Sequence, residues 1–280
     1  MKPRIVELLD FTAVMAFLVA TPQINFVRLA AVLVAGTLAS SGAGALNSYF
    51  DRDLDKIMRR TRHRPIPRGE VNSKQALIFG LVLVTSALTV SSVLLPIIAT
   101  LLIFLGAAIY VFYTTWLKPR TTLNIVLGGA AGSCAPLAGW AAATGQLNAL
   151  APWLMGLLVF VWTPSHFWAL AMRQVDDYTG AGIPMLPVVV GEEKTARYIA
   201  LNTFLLVPLS LAFVPFSGFG LVYLVTAGVL GIGMILLDLK LVMNPTKSQA
   251  WTAFKFSSPY LAFVFVTMFI DAKLLLPVHW

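Results

Sequence analysis

Apolar runs of about twenty residues recur nine times along the chain, and no other feature restricts its fold so severely. They cover roughly 5 to 21, 27 to 49, 76 to 95, 97 to 116, 122 to 143, 151 to 172, 198 to 215, 219 to 241 and 254 to 273. Each is long enough to cross the roughly 30 Å hydrocarbon layer of a bilayer as a helix. In that layer the backbone has no water to bond to, so a run must satisfy its own N–H and C=O groups. The expectation is an all-α, polytopic membrane protein: one domain over 1–280, with nine transmembrane helices and the lipid bilayer as solvent. Composition agrees, since 58% of residues are hydrophobic and 11% are charged, where a soluble domain carries about 25% charged residues.

Charge then orients the bundle. Of the 20 Lys and Arg, all but Arg28 and Lys273 fall on the side that also holds the N-terminus. Positive residues mark the cytosolic side, so the N-terminus is expected inside and the C-terminus outside, in a cytoplasmic (inner) membrane. The same rule accounts for the net charge of +8 without a nucleic-acid partner. No removable signal or transit peptide is expected, and the single Cys134 reads as a packing residue. Outer connections are short and neutral. Inner ones, at 51 to 75 and 173 to 197, are long and charged, which places chemistry at the cytosolic face.

The first inner stretch, Asn47 to Gly69, reads NSYFDRDLDKIMRRTRHRPIPRG. Asn47, Asp51 and Asp55 are spaced i, i+4, i+8 and share one helical face. Loop solubility does not require that pattern. Oxygen donors so arranged suit Mg2+, which takes one or two carboxylates and completes its shell with water and phosphate oxygens. Arg60, Arg62, Arg64 and Arg68 follow, and Arg forks match phosphate oxygens. The stretch thus reads as a clamp for a metal ion and a diphosphate.

The second inner stretch carries Asp176 and Asp177 at the same membrane face, expected to hold metal together with the first motif around a diphosphate, with Arg173 just before them. Glu70, Glu192 and Glu193 read as solvated loop charges. Lys118 and Arg120 lie at the right membrane depth to join the clamp, and serve equally as topology-setting charges. Tyr110, Tyr113, Trp162 and Trp168 fit an interfacial aromatic belt or, alternatively, π-faces that stabilise a carbocation. His166, ionisable and inside an apolar span, is either a functional group or a neutral imidazole bonded to a neighbouring helix. Glycines crowding the second and fifth spans read as close helix packing. The chain has no P-loop, no GxSxG elbow, no HExxH and no paired cysteines, so a covalent protein intermediate is not expected.

The N-x-x-x-D-x-x-x-D motif at Asn47, Asp51 and Asp55, with the blocks YTTWLKPRTTLNIVLGGAAGSCAPLAGWAAATG and WTPSHFWALAMRQVDDYTGAGIPMLPVVVG, resembles the UbiA superfamily of intramembrane prenyltransferases, and among them the members that farnesylate heme. The resemblance implies Mg2+-dependent transfer of farnesyl from farnesyl diphosphate to a vinyl group of heme b, with addition of water. It gives catalytic roles to Asn47, Asp51, Asp55, Asp176, Asp177, Lys118, Arg120 and Tyr113. Substrate contacts fall to Arg60, Arg62, Arg64, Arg68, Tyr110, Trp162, His166, Trp168 and Arg173. It also implies heme A synthase or a terminal oxidase assembly as downstream partners. The second aspartate motif is shorter than in many members, with His166 and Arg173 where others place acids, which turns that region toward heme. A sister enzyme acting on a quinone or chlorophyll-like acceptor is the alternative. A transporter of anionic lipid is a third reading, set against by acids gathered at one face and by the lack of a visible repeat.

Overall fold

The computed structural model describes residues 3–274, so Lys2 and His279 lie outside the described residues. Among those residues the secondary structure is helical throughout, in the order α1 (Pro3–Ala20), α2 (Phe26–Phe50), α3 (Arg52–Ile57), α4 (Ser73–Leu94), α5 (Ile97–Phe112), a π-helical turn (Tyr113–Leu117), α6 (Asn124–Thr144), α7 (Leu150–Arg173), α8 (Val175–Gly180), α9 (Leu186–Val190), α10 (Glu192–Leu211), α11 (Phe213–Ser217), α12 (Leu221–Met243) and α13 (Lys247–Leu274). Eight of these units are long and apolar enough to cross a membrane: α2, α4, α5 with its π turn, α6, α7, α10 with α11, α12 and α13. The first expected span corresponds to α1, which is not among the eight and carries Arg4, Glu7 and Asp10.

Two groups of helices share the bundle. One comprises α2, α4, α5 and α6; the other comprises α7, α10, α12 and α13. They meet along α6 and α7, and α1 packs on α2, α6 and α13 to close the arrangement. Large apolar side chains such as Leu81, Val82, Leu101, Leu201, Leu205, Val229 and Ile232 point outward. Lipid rather than water suits such a surface.

Small residues set how closely the helices approach. A Cβ on Gly139 would lie 1.9 Å from the carbonyl oxygen of Ala13, so α1 and α6 touch backbone to backbone. Gly42 and Gly80 bring α2 and α4 together in the same way, each close to the other's carbonyl oxygen. The tightness predicted from glycine content is therefore present. Opposite each other in the chain's logic, α2 and α7 both end in a joint followed by a six-residue helix, α3 and α8. Those joints carry the two acidic motifs.

Candidate active site

Asp51 sits at the joint between α2 and α3, with φ −82° and ψ 2°. The i→i−4 ladder nonetheless continues through it: Asp51 N–H donates to Asn47 C=O at 2.8 Å, and Asp55 N–H to Asp51 C=O at 2.7 Å. The stripe predicted from spacing therefore survives the bend. All three side chains are buried, with exposures of 0% for Asn47, 3% for Asp51 and 2% for Asp55. Buried carboxylates need charge compensation, and Asp51 also lies at the negative end of the α2 dipole.

Compensation comes from two basic groups. Lys118 Nζ donates to Asp51 Oδ2 at 2.6 Å, and Asn47 Nδ2 donates to the same oxygen at 3.0 Å. Arg64 donates to Asp55 Oδ2 at 2.7 Å. Lys118 arrives from the far side of the site because the chain makes a π turn after α5, closed by Lys118 N–H donating to Tyr113 C=O at 2.9 Å. Such turns are rare and concentrate at functional sites. Tyr113 leads that turn, edge-on to Tyr110 at 6.1 Å between ring centroids, and both tyrosines lie within electrostatic reach of Asp51. The Tyr113 ring rests on Gly128, where a Cβ would come within 2.8 Å of it. That glycine, read from sequence as helix packing alone, is the seat of the Tyr113 ring.

The second acidic motif is engaged differently. Asp177 accepts the backbone N–H groups of Arg59 and Arg60 at 3.3 and 3.1 Å, one on each carboxylate oxygen. This ties the loop after α3 to α8. Asp176, 76% exposed at its side chain, pairs with Lys247 of α13 at 2.6 Å. The Lys247 ammonium holds the Asp176 carboxyl below its ordinary range. Arg59, Arg60, Arg173, Gln174, Asp176 and Asp177 line an open cleft of about 360 Å³. Among the described residues no three His, Cys, Asp or Glu side chains converge on one metal-sized point, so Asp176 and Asp177 do not complete a carboxylate cluster with Asp51 and Asp55.

Three expected clamp residues stand apart. Arg68 pairs with Glu70 at 3.1 Å. Arg120 donates to Trp116 C=O and lies over the Trp116 ring. Arg62 is exposed in the loop. His166 is buried in α7, stacked on Trp162 at 4.2 Å and against Phe254 at 4.4 Å, with Nδ1 bonded to Ser257 at 2.6 Å. Trp162 Nε1 donates to Ser257 C=O at 2.8 Å. Trp168 is buried in the layer of Met58, Ile125, Met172 and Tyr178. Tyr178, which neighbours Tyr113, and Ser257 sit in no motif and leave no local trace in the sequence. Asp238, which accepts from Thr203 at 2.6 Å, does leave one, as a carboxylate inside an apolar span.

Hard oxygen donors, two cations and an aromatic wall at one bundle end form a site able to hold a divalent ion with a phosphorylated, partly apolar substrate. A model of the UbiA prenyltransferase family matches residues 8–266. The chain belongs to that family. Relatives within it include the protoheme IX farnesyltransferase 1 of Cenarchaeum symbiosum, 48% identical over 97% of this chain and 93% of that one. The protoheme IX farnesyltransferase of Gloeobacter violaceus is 44% identical over 97% and 90%. Solved structures share the fold: a digeranylgeranylglyceryl phosphate synthase at TM-score 0.79 and 19% identity, over 94% and 92%. A UbiA homolog from Aeropyrum pernix K1 follows at 0.74 and 22%, over 98% of each chain. A UbiA homolog from Archaeoglobus fulgidus, at 0.67 and 16% over 95% and 96%, was solved with DMAPP and Mg2+.

Proposed function

We propose that this family member transfers the farnesyl group of farnesyl diphosphate to a vinyl group of heme b, with addition of water, giving heme O and diphosphate. The observation that carries the diphosphate half is the juxtaposition of Asn47, Asp51 and Asp55 with Lys118 and Arg64. The choice of heme rests on relatives 40–48% identical over nearly the whole chain and named for that reaction.

Asn47, Asp51 and Asp55 fit Mg2+: buried, oxygen-bearing and carried on one continuous helical ladder. The ion would supply electron withdrawal from the leaving diphosphate. Lys118 and Arg64 bind the phosphate oxygens and stabilise charge as the farnesyl C1–O bond breaks. Tyr113 and Tyr110 present ring faces to the allylic cation and keep water from it. The vinyl carbon then attacks C1. Water adds to the cation left on heme and loses a proton. Asp177 fixes the Arg59–Arg60 segment, while Arg60 and Arg173 bring positive charge to the cleft they line. His166 and Trp168 belong to the acceptor side; with Nδ1 fixed by Ser257, the His166 ring would meet heme through Nε2. In this reading α1 is a ninth span, the N-terminus is cytosolic and the enzyme sits in a cytoplasmic membrane. Heme A synthase or an oxidase assembly receives the product.

Purified protein incubated with farnesyl diphosphate, heme b and Mg2+ should yield farnesylated heme by mass spectrometry, and Asp51→Ala should not. Turnover of 4-hydroxybenzoate without heme product would reassign the acceptor. His166→Ala should weaken heme binding and alter the heme absorption spectrum; an unchanged affinity and spectrum would remove His166 from the acceptor site.

A further inference from the structure

The two cations that reach the acidic stripe occupy the carboxylate oxygens a metal ion would use. Lys118 sits on Asp51 and Arg64 on Asp55, at 2.6 and 2.7 Å, with side-chain exposures of 16% and 26% against 4% and 2% for the acids. Neither pair is a rim contact, and the acids could not stay ionised there without a counter-charge. We infer that Lys118 and Arg64 are exchangeable counter-cations: they neutralise Asp51 and Asp55 when neither ligand is bound and move to the diphosphate when a divalent ion takes the carboxylates. This deepens the proposed function and rests on it.

The exchange makes loading cooperative. A divalent ion alone must break the Lys118–Asp51 pair and then face an unpaired ammonium a few ångströms away. A diphosphate alone must draw the cations off and leave two buried carboxylates beside an anion. Arriving together, metal and diphosphate satisfy all four side chains. Each ligand therefore raises the other's affinity, and by linkage the factor is the same in both directions. The geometry allows the movement because both cations come from segments other than the stripe itself. Lys118 follows the π turn and Arg64 stands in the loop after α3, whereas Asp51 and Asp55 are fixed in the helical ladder.

The experiment is equilibrium dialysis of Mn2+ against the purified full-length chain in detergent, with free Mn2+ read by electron paramagnetic resonance, in the absence and presence of saturating inorganic pyrophosphate. Wild type should bind Mn2+ weakly alone and at least tenfold more tightly with pyrophosphate, after correction for the Mn2+ that pyrophosphate chelates. Lys118→Gln should reverse the order: at least tenfold tighter than wild type with Mn2+ alone, and weaker than wild type with pyrophosphate. Lys118→Arg, which keeps the charge, should behave as wild type, and Arg64→Gln should repeat the crossing at Asp55 should Lys118→Gln fail to fold. Lys118→Gln or Arg64→Gln binding Mn2+ alone no more tightly than wild type, while wild type still gains with pyrophosphate, would overturn the exchange. Failure of wild type to take up Mn2+ under either condition would instead overturn the metal and diphosphate reading itself.

Discussion

Replacing Gly128 by alanine tests whether the position of the Tyr113 ring matters to the chemistry. The added Cβ would lie 2.8 Å from Cγ and Cδ2 and 2.9 Å from Cδ1 of Tyr113. Ordinary contact begins near 3.4 Å, so the ring must retreat by about 0.6 Å or more; forced repacking of this kind costs about 1–3 kcal/mol. Alanine in a helix interior returns about 0.5–1 kcal/mol of backbone entropy, leaving a net loss of roughly 0–2.5 kcal/mol and a folded protein. The rate should suffer more than the fold, since a displacement of about 1 Å in a group positioned around reacting atoms can cost on the order of 100-fold. The assay is farnesylated heme formed per minute by mass spectrometry, with thermal unfolding in detergent run in parallel. Gly228→Ala is the control, because its Cβ meets nothing within 4 Å, and both rate and melting temperature should hold. In a double-mutant cycle Gly128→Ala should cost less stability in a Tyr113→Ala background than in wild type, because the ring it overpacks is gone, while turnover stays low in both. A folded Gly128→Ala enzyme turning over at the wild-type rate would refute the assignment of Tyr113 to the reacting centre.

Three other outcomes follow from particular contacts. Gly139→Ala places a Cβ 1.9 Å from the Ala13 carbonyl oxygen, and relief requires α1 and α6 to separate, so a loss above about 3 kcal/mol and poor yield of folded protein are expected; an unchanged melting temperature would contradict the backbone contact. Asp177→Asn turns one of two N–H acceptors into a donor facing Arg59 or Arg60, so trypsin should cut the segment after Arg59 and Arg60 several-fold faster, whereas a carboxylate acting only on metal would leave proteolysis unchanged. Asp55→Ala should abolish heme farnesylation while the protein stays folded in detergent; near-normal turnover would remove Asp55 from the metal site.

Residues read as one group from the sequence separate in the structure for reasons of direction and distance. Spacing alone put Asn47, Asp51 and Asp55 on one face, because the helical period fixes that geometry within a single segment. The apolar runs likewise fixed an all-helical membrane bundle, since a lipid-embedded backbone has no other open-ended solution. Nothing local, however, distinguishes Arg64, which reaches Asp55, from Arg62 and Arg68, which face solvent or Glu70. Lys118 over Arg120 was equally undecided, and the π turn resolved it by directing Lys118 inward. Asp176 and Asp177 adjoin in sequence, yet one is tied to Lys247 and the other to a backbone segment about 118 residues away. Ser257 as the partner of His166 and Gly128 as the seat of Tyr113 had no trace in the chain's order. Order along the chain suffices for what depends on neighbours within one helix: an all-helical membrane bundle and the acidic stripe. Which cations and aromatics meet that stripe depends on packing across the bundle, because those partners come from other segments, whose approach no local pattern sets.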